Sequence, residues 1–178
     1  DPQVVFIKVV ATPTDASISS PLSVSAQVGV PFRYQIETTG AVTSYAALGL
    51  PEGLAISLSS GSLSGAPLAA GSFTTTLRAF TSSGSVEASL AIDVLPATPV
   101  ITSGSQALGK VGTPFSYQIT ATNLPTSFRV TGLPQGLVLE AGTMGIISGT
   151  SVSEGSYLMT VSASNRGGTG SASVSLKV

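Results

Sequence analysis

The chain has 178 residues, 42% of them hydrophobic and only 8% charged, with a net charge of −1. That balance excludes both the basic footprint of a nucleic-acid binder and the polar, highly charged profile of a disordered chain. His and Cys are absent. Their absence removes Ser-His-Asp and Cys-His catalysis, zinc on N and S ligands, haem on His, and the inter-sheet disulfide of antibody domains.

The first strand-like segment is Val4-Val5-Phe6-Ile7-Lys8-Val9-Val10. In register it matches the end of a repeat, so it is either the last strand of a preceding module or a strand free for exchange. Its apolar residues Val4, Val5, Phe6, Ile7, Val9 and Val10 form the candidate strand-exchange interface, because an unpaired strand seeks an edge to add to. The chain begins at Asp1 rather than Met and is expected to be a mature product or an excised fragment.

From Pro13 onward the chain is written twice. Val28-Gly29-Val30-Pro31-Phe32-Arg33-Tyr34-Gln35-Ile36 returns 83 positions later as Val111-Gly112-Thr113-Pro114-Phe115-Ser116-Tyr117-Gln118-Ile119. Gly49-Leu50-Pro51-Glu52-Gly53-Leu54 returns as Gly132-Leu133-Pro134-Gln135-Gly136-Leu137. One inserted residue then raises the offset to 84, which pairs Gly65 with Gly149 and Val94 with Val178. A period this long is a duplicated domain rather than a solenoid turn of roughly 20 to 50 residues. The expected organisation is residues 1–12 as the apolar strand segment, 13–96 as domain 1 and 97–178 as domain 2.

Within each repeat apolar residues alternate with polar ones, the period of a half-buried strand. Phe32, Tyr34 and Ile36 form one face, and Phe73, Thr75, Leu77 and Ala79 another. Ala88, Leu90, Ile92 and Val94 form a third. Strands are predicted near residues 18–25, 32–38, 44–48, 54–58, 62–64, 72–80 and 85–95, with counterparts in the second repeat. Thr81-Ser82-Ser83-Gly84 and Asn165-Arg166-Gly167-Gly168 read as hairpin turns, and Leu95-Pro96-Ala97-Thr98-Pro99 as a short, stiff linker. With 20 Gly and 11 Pro as punctuation, the pattern predicts an all-β chain of two tandem Ig-like or cadherin-like sandwiches, about seven strands each. No apolar run is long enough for a transmembrane helix. A membrane barrel would need aromatic girdles, and the chain is 6% aromatic with no Trp.

The recurring pieces resemble one family in combination. They are Gly-x-Pro-Phe-x-Tyr-Gln-Ile, then Gly-Leu-Pro-x-Gly-Leu, then Gly-x-[Ile/Leu]-Ser-Gly at residues 61–65 and 145–149. Last comes Gly-Ser-[Phe/Tyr]-x-x-Thr-[Leu/Val] at residues 71–77 and 155–161. Together they are similar to the putative Ig domain family of bacterial surface proteins. The resemblance implies Ig-like sandwiches in tandem, on secreted or surface-anchored proteins, and no particular reaction. Some cadherin-like relatives hold calcium at domain junctions. Here the eight acids are dispersed, short of the clustered carboxylates such a site needs.

No catalytic residues, cofactor or metal site are therefore expected, and the chain is not expected to be an enzyme. Gly167-Gly168-Thr169-Gly170 is glycine-rich but lies in a hairpin, with no helix to present a phosphate site. Lys8, Lys110 and Lys177 with Asn123 or Asn165 are the only candidates for a Lys–Asn isopeptide bond, which would lower the intact mass by one ammonia. Tyr45 and Phe128, aligned across the repeats, have no evident place in the core pattern. Between Pro13 and Pro96 the net charge is −3, and from Ala97 to Val178 it is +2.

Three functions fit. One is a structural or adhesive stalk in an extracellular bacterial surface protein. Another is a self-assembling subunit that uses the N-terminal strand. The third is a ligand- or carbohydrate-binding accessory module of a secreted enzyme. The expected partners are proteins or further copies of the chain, with carbohydrate the weaker case. Neither nucleic acid nor membrane insertion is expected.

Overall fold

The computed structural model describes residues 16–142 and 144–178; the apolar segment at residues 4–10 lies outside them. Every regular element among the described residues is a strand. The contacts divide the chain into two compact units, and the second takes in all of Val94–Val178.

The first repeat begins with β1 (Ser17–Ile18), β2 (Ser23–Gln27), β3 (Phe32–Gln35), β4 (Thr38–Thr39) and β5 (Ser44–Leu48). It continues with β6 (Leu54–Ile56), β7 (Ser62–Gly65), β8 (Gly71–Thr81) and β9 (Gly84–Leu95). One sheet runs β2-β9-β8-β5 and the other β3-β7-β6, with β1 and β4 pairing beside them. The second repeat contains β10 (Gln106–Leu108), β11 (Pro114–Gln118), β12 (Ser127–Thr131), β13 (Leu137–Leu139), β14 (Ile146–Thr150), β15 (Ser156–Asn165) and β16 (Gly168–Lys177). Its sheets, β10-β16-β15-β12 and β11-β14-β13, repeat the topology of the first.

The alternation read from the sequence sets the inward faces. Tyr34, Ile36, Leu63, Leu77, Ala79, Leu90, Ile92 and Val94 are buried in repeat 1. Ile119, Leu137, Ile147, Met159, Val161, Val174 and Leu176 form the core of repeat 2. Thr75 is fully buried where repeat 2 has Met159. Its hydroxyl donates to the Gly49 carbonyl at 3.1 Å, which satisfies the polar atom that burial would otherwise penalise.

One expected strand divides. The segment at residues 18–25 is β1 and β2, separated at Ser20-Pro21. β1 pairs antiparallel with β4, whereas β2 belongs to the sheet of β9. Pro21 has no N–H to carry a ladder through this point, and the chain crosses from one sheet to the other there. Repeat 2 makes the same crossing between the Ile101–Ala121 bridge and β10.

Candidate functional site

The Tyr-Gln-Ile triplet of the repeat does three separate jobs. The Tyr34 hydroxyl donates to Ser20 Oγ at 2.7 Å and is 2.9 Å from the Pro21 carbonyl, at the sheet crossing. Tyr117 donates to the Gly104 carbonyl at the equivalent point. Gln35 Nε2 donates to the Ser60 carbonyl at 2.6 Å, and Gln118 Nε2 to the Met144 carbonyl, each fastening the turn before an inner strand. Ile36 and Ile119 fill the cores. Tyr34→Phe should destabilise repeat 1 by about 1–2 kcal/mol, because Ser20 is buried and loses its partner. A drop in one of the two thermal unfolding transitions would confirm it, and unchanged transitions would refute it.

The glycine motifs are two halves of one contact. A Cβ on Gly53 would lie 2.1 Å from the Ala66 carbonyl oxygen, and one on Gly65 would lie 2.1 Å from the Gly53 oxygen. In repeat 2 the same distances are 2.0 Å, from Gly136 to the Thr150 oxygen, and 2.2 Å, from Gly149 to the Gly136 oxygen. The Ala66 and Thr150 amides donate to Gly53 and Gly136 across this approach. The two motifs therefore close one corner by backbone contact, where no side chain fits.

Tyr45 and Phe128 also find their place here. A Cβ on Gly61 would meet the Tyr45 ring at 2.9 Å, and one on Gly145 the Phe128 ring at 3.0 Å. Each ring lies against the first glycine of Gly-x-[Ile/Leu]-Ser-Gly, and Phe128 also packs on the core. Both rings are thus held by the scaffold, and each is half-buried. Tyr157, at the start of β15, reaches Ser153 Oγ at 3.0 Å and so closes the loop before its own strand.

The candidates for covalent chemistry are otherwise engaged. Asn123 Nδ2 donates to the Thr98 carbonyl at 2.7 Å, and Asn165 Nδ2 to the Ala97 carbonyl at 2.9 Å. The Thr98 hydroxyl donates to the Gly167 carbonyl at 3.1 Å. Both Asn amides thus hold residues 97 and 98 onto repeat 2, while Lys110 and Lys177 are exposed. Lys8 lies outside the described residues. Among the described residues no group of three or more acids could hold a metal ion, and no helix is long and apolar enough to cross a membrane.

The model of the family described as Putative Ig domain matches the chain twice, at residues 12–95 and 98–178. The chain belongs to this family. Its tandem Ig-like sandwiches resemble the titin I-band fragment I67–I69 at 16% identity, with a TM-score of 0.60, over 91% of this chain and 65% of that one. They also resemble extracellular domains 3–5 of Drosophila OTK at 17% identity, with a TM-score of 0.53, over 89% of this chain and 59% of that one. These likenesses show the fold. A putative alpha-galactosidase from Bacteroides fragilis NCTC 9343 is 30% identical over 56% of this chain, with a TM-score of 0.43. This chain spans about a fifth of that protein's length, at 22%, and of a second such protein from the same organism, at 20%. No curated protein matches it.

Proposed function

We propose that the chain is a non-catalytic, load-bearing and adhesive module of an extracellular bacterial surface protein. The observation that carries this reading is the pairing of the first and last strands of repeat 2. β10 runs parallel to β16, with Gln106 opposite Ser175, Ala107 opposite Leu176 and Leu108 opposite Lys177. A pull on the two ends of such a domain shears these hydrogen bonds together, whereas an antiparallel pair pulled the same way unzips one bond at a time. Repeat 1 is built alike: the Ala91 amide donates to the Leu22 carbonyl and the Val28 amide to the Leu95 carbonyl. What the two copies share is scaffold, and their outward residues differ, as suits a module reused for its fold. Pulling single chains should give two discrete unfolding events, each releasing about 25–30 nm of chain. Extension without force peaks would sink the load-bearing reading.

A second reading, assembly by strand addition, is favoured by the edges. β5 and β12 end the four-stranded sheets, and β6 and β13 end the three-stranded ones. The Tyr45 amide of β5 donates to the Leu58 carbonyl at 2.8 Å, and such edge strands can take residues 4–10 of another copy. Light scattering on the full chain and on a chain lacking residues 1–10 tests it. A monomeric full chain would end it.

A further inference from the structure

The outer face of the β10-β16-β15-β12 sheet carries an arrangement that the fold does not need. Register places Ser127 opposite Ser164, and Ser164 opposite Thr169; the next row is Arg129, Ser162 and Ser171. Successive outward residues on a strand are two apart, so these six side chains share one face while Phe128, Val130 and Ala163 turn inward. Ser127, Arg129, Ser162, Ser164 and Thr169 line a groove of about 510 Å³, with part of Phe128 at its floor.

The chemistry of the groove is donor-rich. Ser162 and Ser171 share a hydrogen bond of 2.8 Å, and Ser164 and Thr169 one of 2.7 Å. Two hydroxyls in one hydrogen bond use only one of their two protons, so each pair keeps a donor for a ligand. Arg129 adds a guanidinium fork, which matches the paired oxygens of a carboxylate or sulfate. Among the described residues no acid pairs with it. Repeat 2 has only two acids, Glu140 and Glu154. Glu140 follows β13 of the other sheet, and Glu154 precedes β15, whereas the groove is at that strand's far end.

Repeat 1 supplies the contrast. At the position of Arg129 it has Ala46, and at that of Ser164 it has Phe80. At the positions of Ser162 and Ser171 it has Arg78 and Glu87, which neutralise each other at 2.5 Å. The same face of the same fold is therefore charge-compensated in repeat 1, whereas in repeat 2 it carries Arg129 opposite a serine.

We infer that this face of repeat 2 binds an acidic polysaccharide, with Arg129 taking a charged group of the sugar chain and the paired hydroxyls bonding its oxygens. The groove crosses three strands instead of running along the edge of β12, so an added peptide strand does not fit it. Phe128 is the one apolar residue of its lining, and the other five are polar or charged, short of the clustered anchors of a protein interface. The inference rests on the adhesive part of the proposed function and is independent of the load-bearing part.

The test is calorimetric titration of the full chain with polygalacturonate, dextran sulfate, neutral dextran and polyglutamate at low and physiological salt. We expect binding to one or both acidic glycans, weakening with salt, and none to dextran. Which glycan binds distinguishes carboxylate from sulfate recognition. Arg129→Ala should weaken binding about tenfold or more. Ser162→Glu, which sets an acid directly opposite a retained Arg129, should do the same, while Lys177→Ala should change it little. Both unfolding transitions of each variant must persist for the comparison to count, and Arg129→Lys supplies a second, milder change if one variant fails to fold. Equal binding of dextran, equal or stronger binding of polyglutamate, no binding of either acidic glycan, or unchanged affinity in folded Arg129 variants would overturn the inference.

Discussion

Gly136→Ala should cost repeat 2 about 4 kcal/mol, most of the stability of a domain this small. Two penalties combine. The added Cβ would stand 2.0 Å from the Thr150 carbonyl oxygen, and that oxygen belongs to strand β14, which is held on both sides by β11 and β13. The collision is with backbone, so rotating a side chain cannot relieve it. Gly136 also has a φ of +92°, a conformation that carries its own cost for any residue with a Cβ. The strand must retreat, and Leu137, buried in the core next door, moves with it. In a thermal or denaturant scan the transition of repeat 2 should fall or vanish while that of repeat 1 holds. Gly53→Ala should do the reverse, since Gly53 meets the Ala66 oxygen in the same way. A Gly136→Ala protein whose two transitions match the parent would disprove the interlocked corner.

Much of this fold was legible because alternation is a local signal. Phe32, Tyr34 and Ile36 announce a strand and its buried face without knowledge of any partner. What was not legible was whatever depends on a partner distant in sequence. Ser20-Pro21 reads as part of one strand until Tyr34 is seen to bind there. Gly53 and Gly65 read as separate turn residues until Gly65 is found against the Gly53 backbone and Gly53 against that of Ala66. Tyr45 and Phe128 have no evident place in the core pattern because the glycine that each ring covers leaves no mark in a hydrophobicity profile. Arg129 was equally invisible as a candidate. Its distinction lies in facing Ser162 where repeat 1 sets Arg78 against Glu87, a comparison that needs the register of three strands.

The linker gives the second large effect. Replacing Gly167 and Gly170 by the residues that repeat 1 has there, Ser83 and Val86, should release residues 96–100 from repeat 2 while leaving the hairpin folded. A Cβ on Gly167 would lie 1.8 Å from the Pro96 carbonyl oxygen, and one on Gly170 would lie 1.8 Å from that of Pro99. Neither distance can be accommodated, so the segment must lift. Lifting it breaks the bonds from Asn165 to Ala97, from Asn123 to Thr98 and from Thr98 to Gly167. The hairpin itself should survive, because repeat 1 forms the same turn with side chains at both positions, and a Cβ on its Gly84 would meet nothing within 4 Å. The Val100 amide, which donates to the Thr122 hydroxyl at 3.1 Å, and the Thr122 amide, which donates to the Val100 carbonyl at 2.9 Å, lie at the end of the lifted stretch. Hydrogen exchange at residues 97–102 should therefore accelerate about tenfold or more in the Gly167→Ser, Gly170→Val protein, since three side-chain bonds of about 1 kcal/mol each are lost. Exchange along β15 and β16 should stay slow. If the linker amides exchange at the parent rate, the segment is held by something other than these glycines and amides. If β15 and β16 also open, the two glycines serve the hairpin and not the linker.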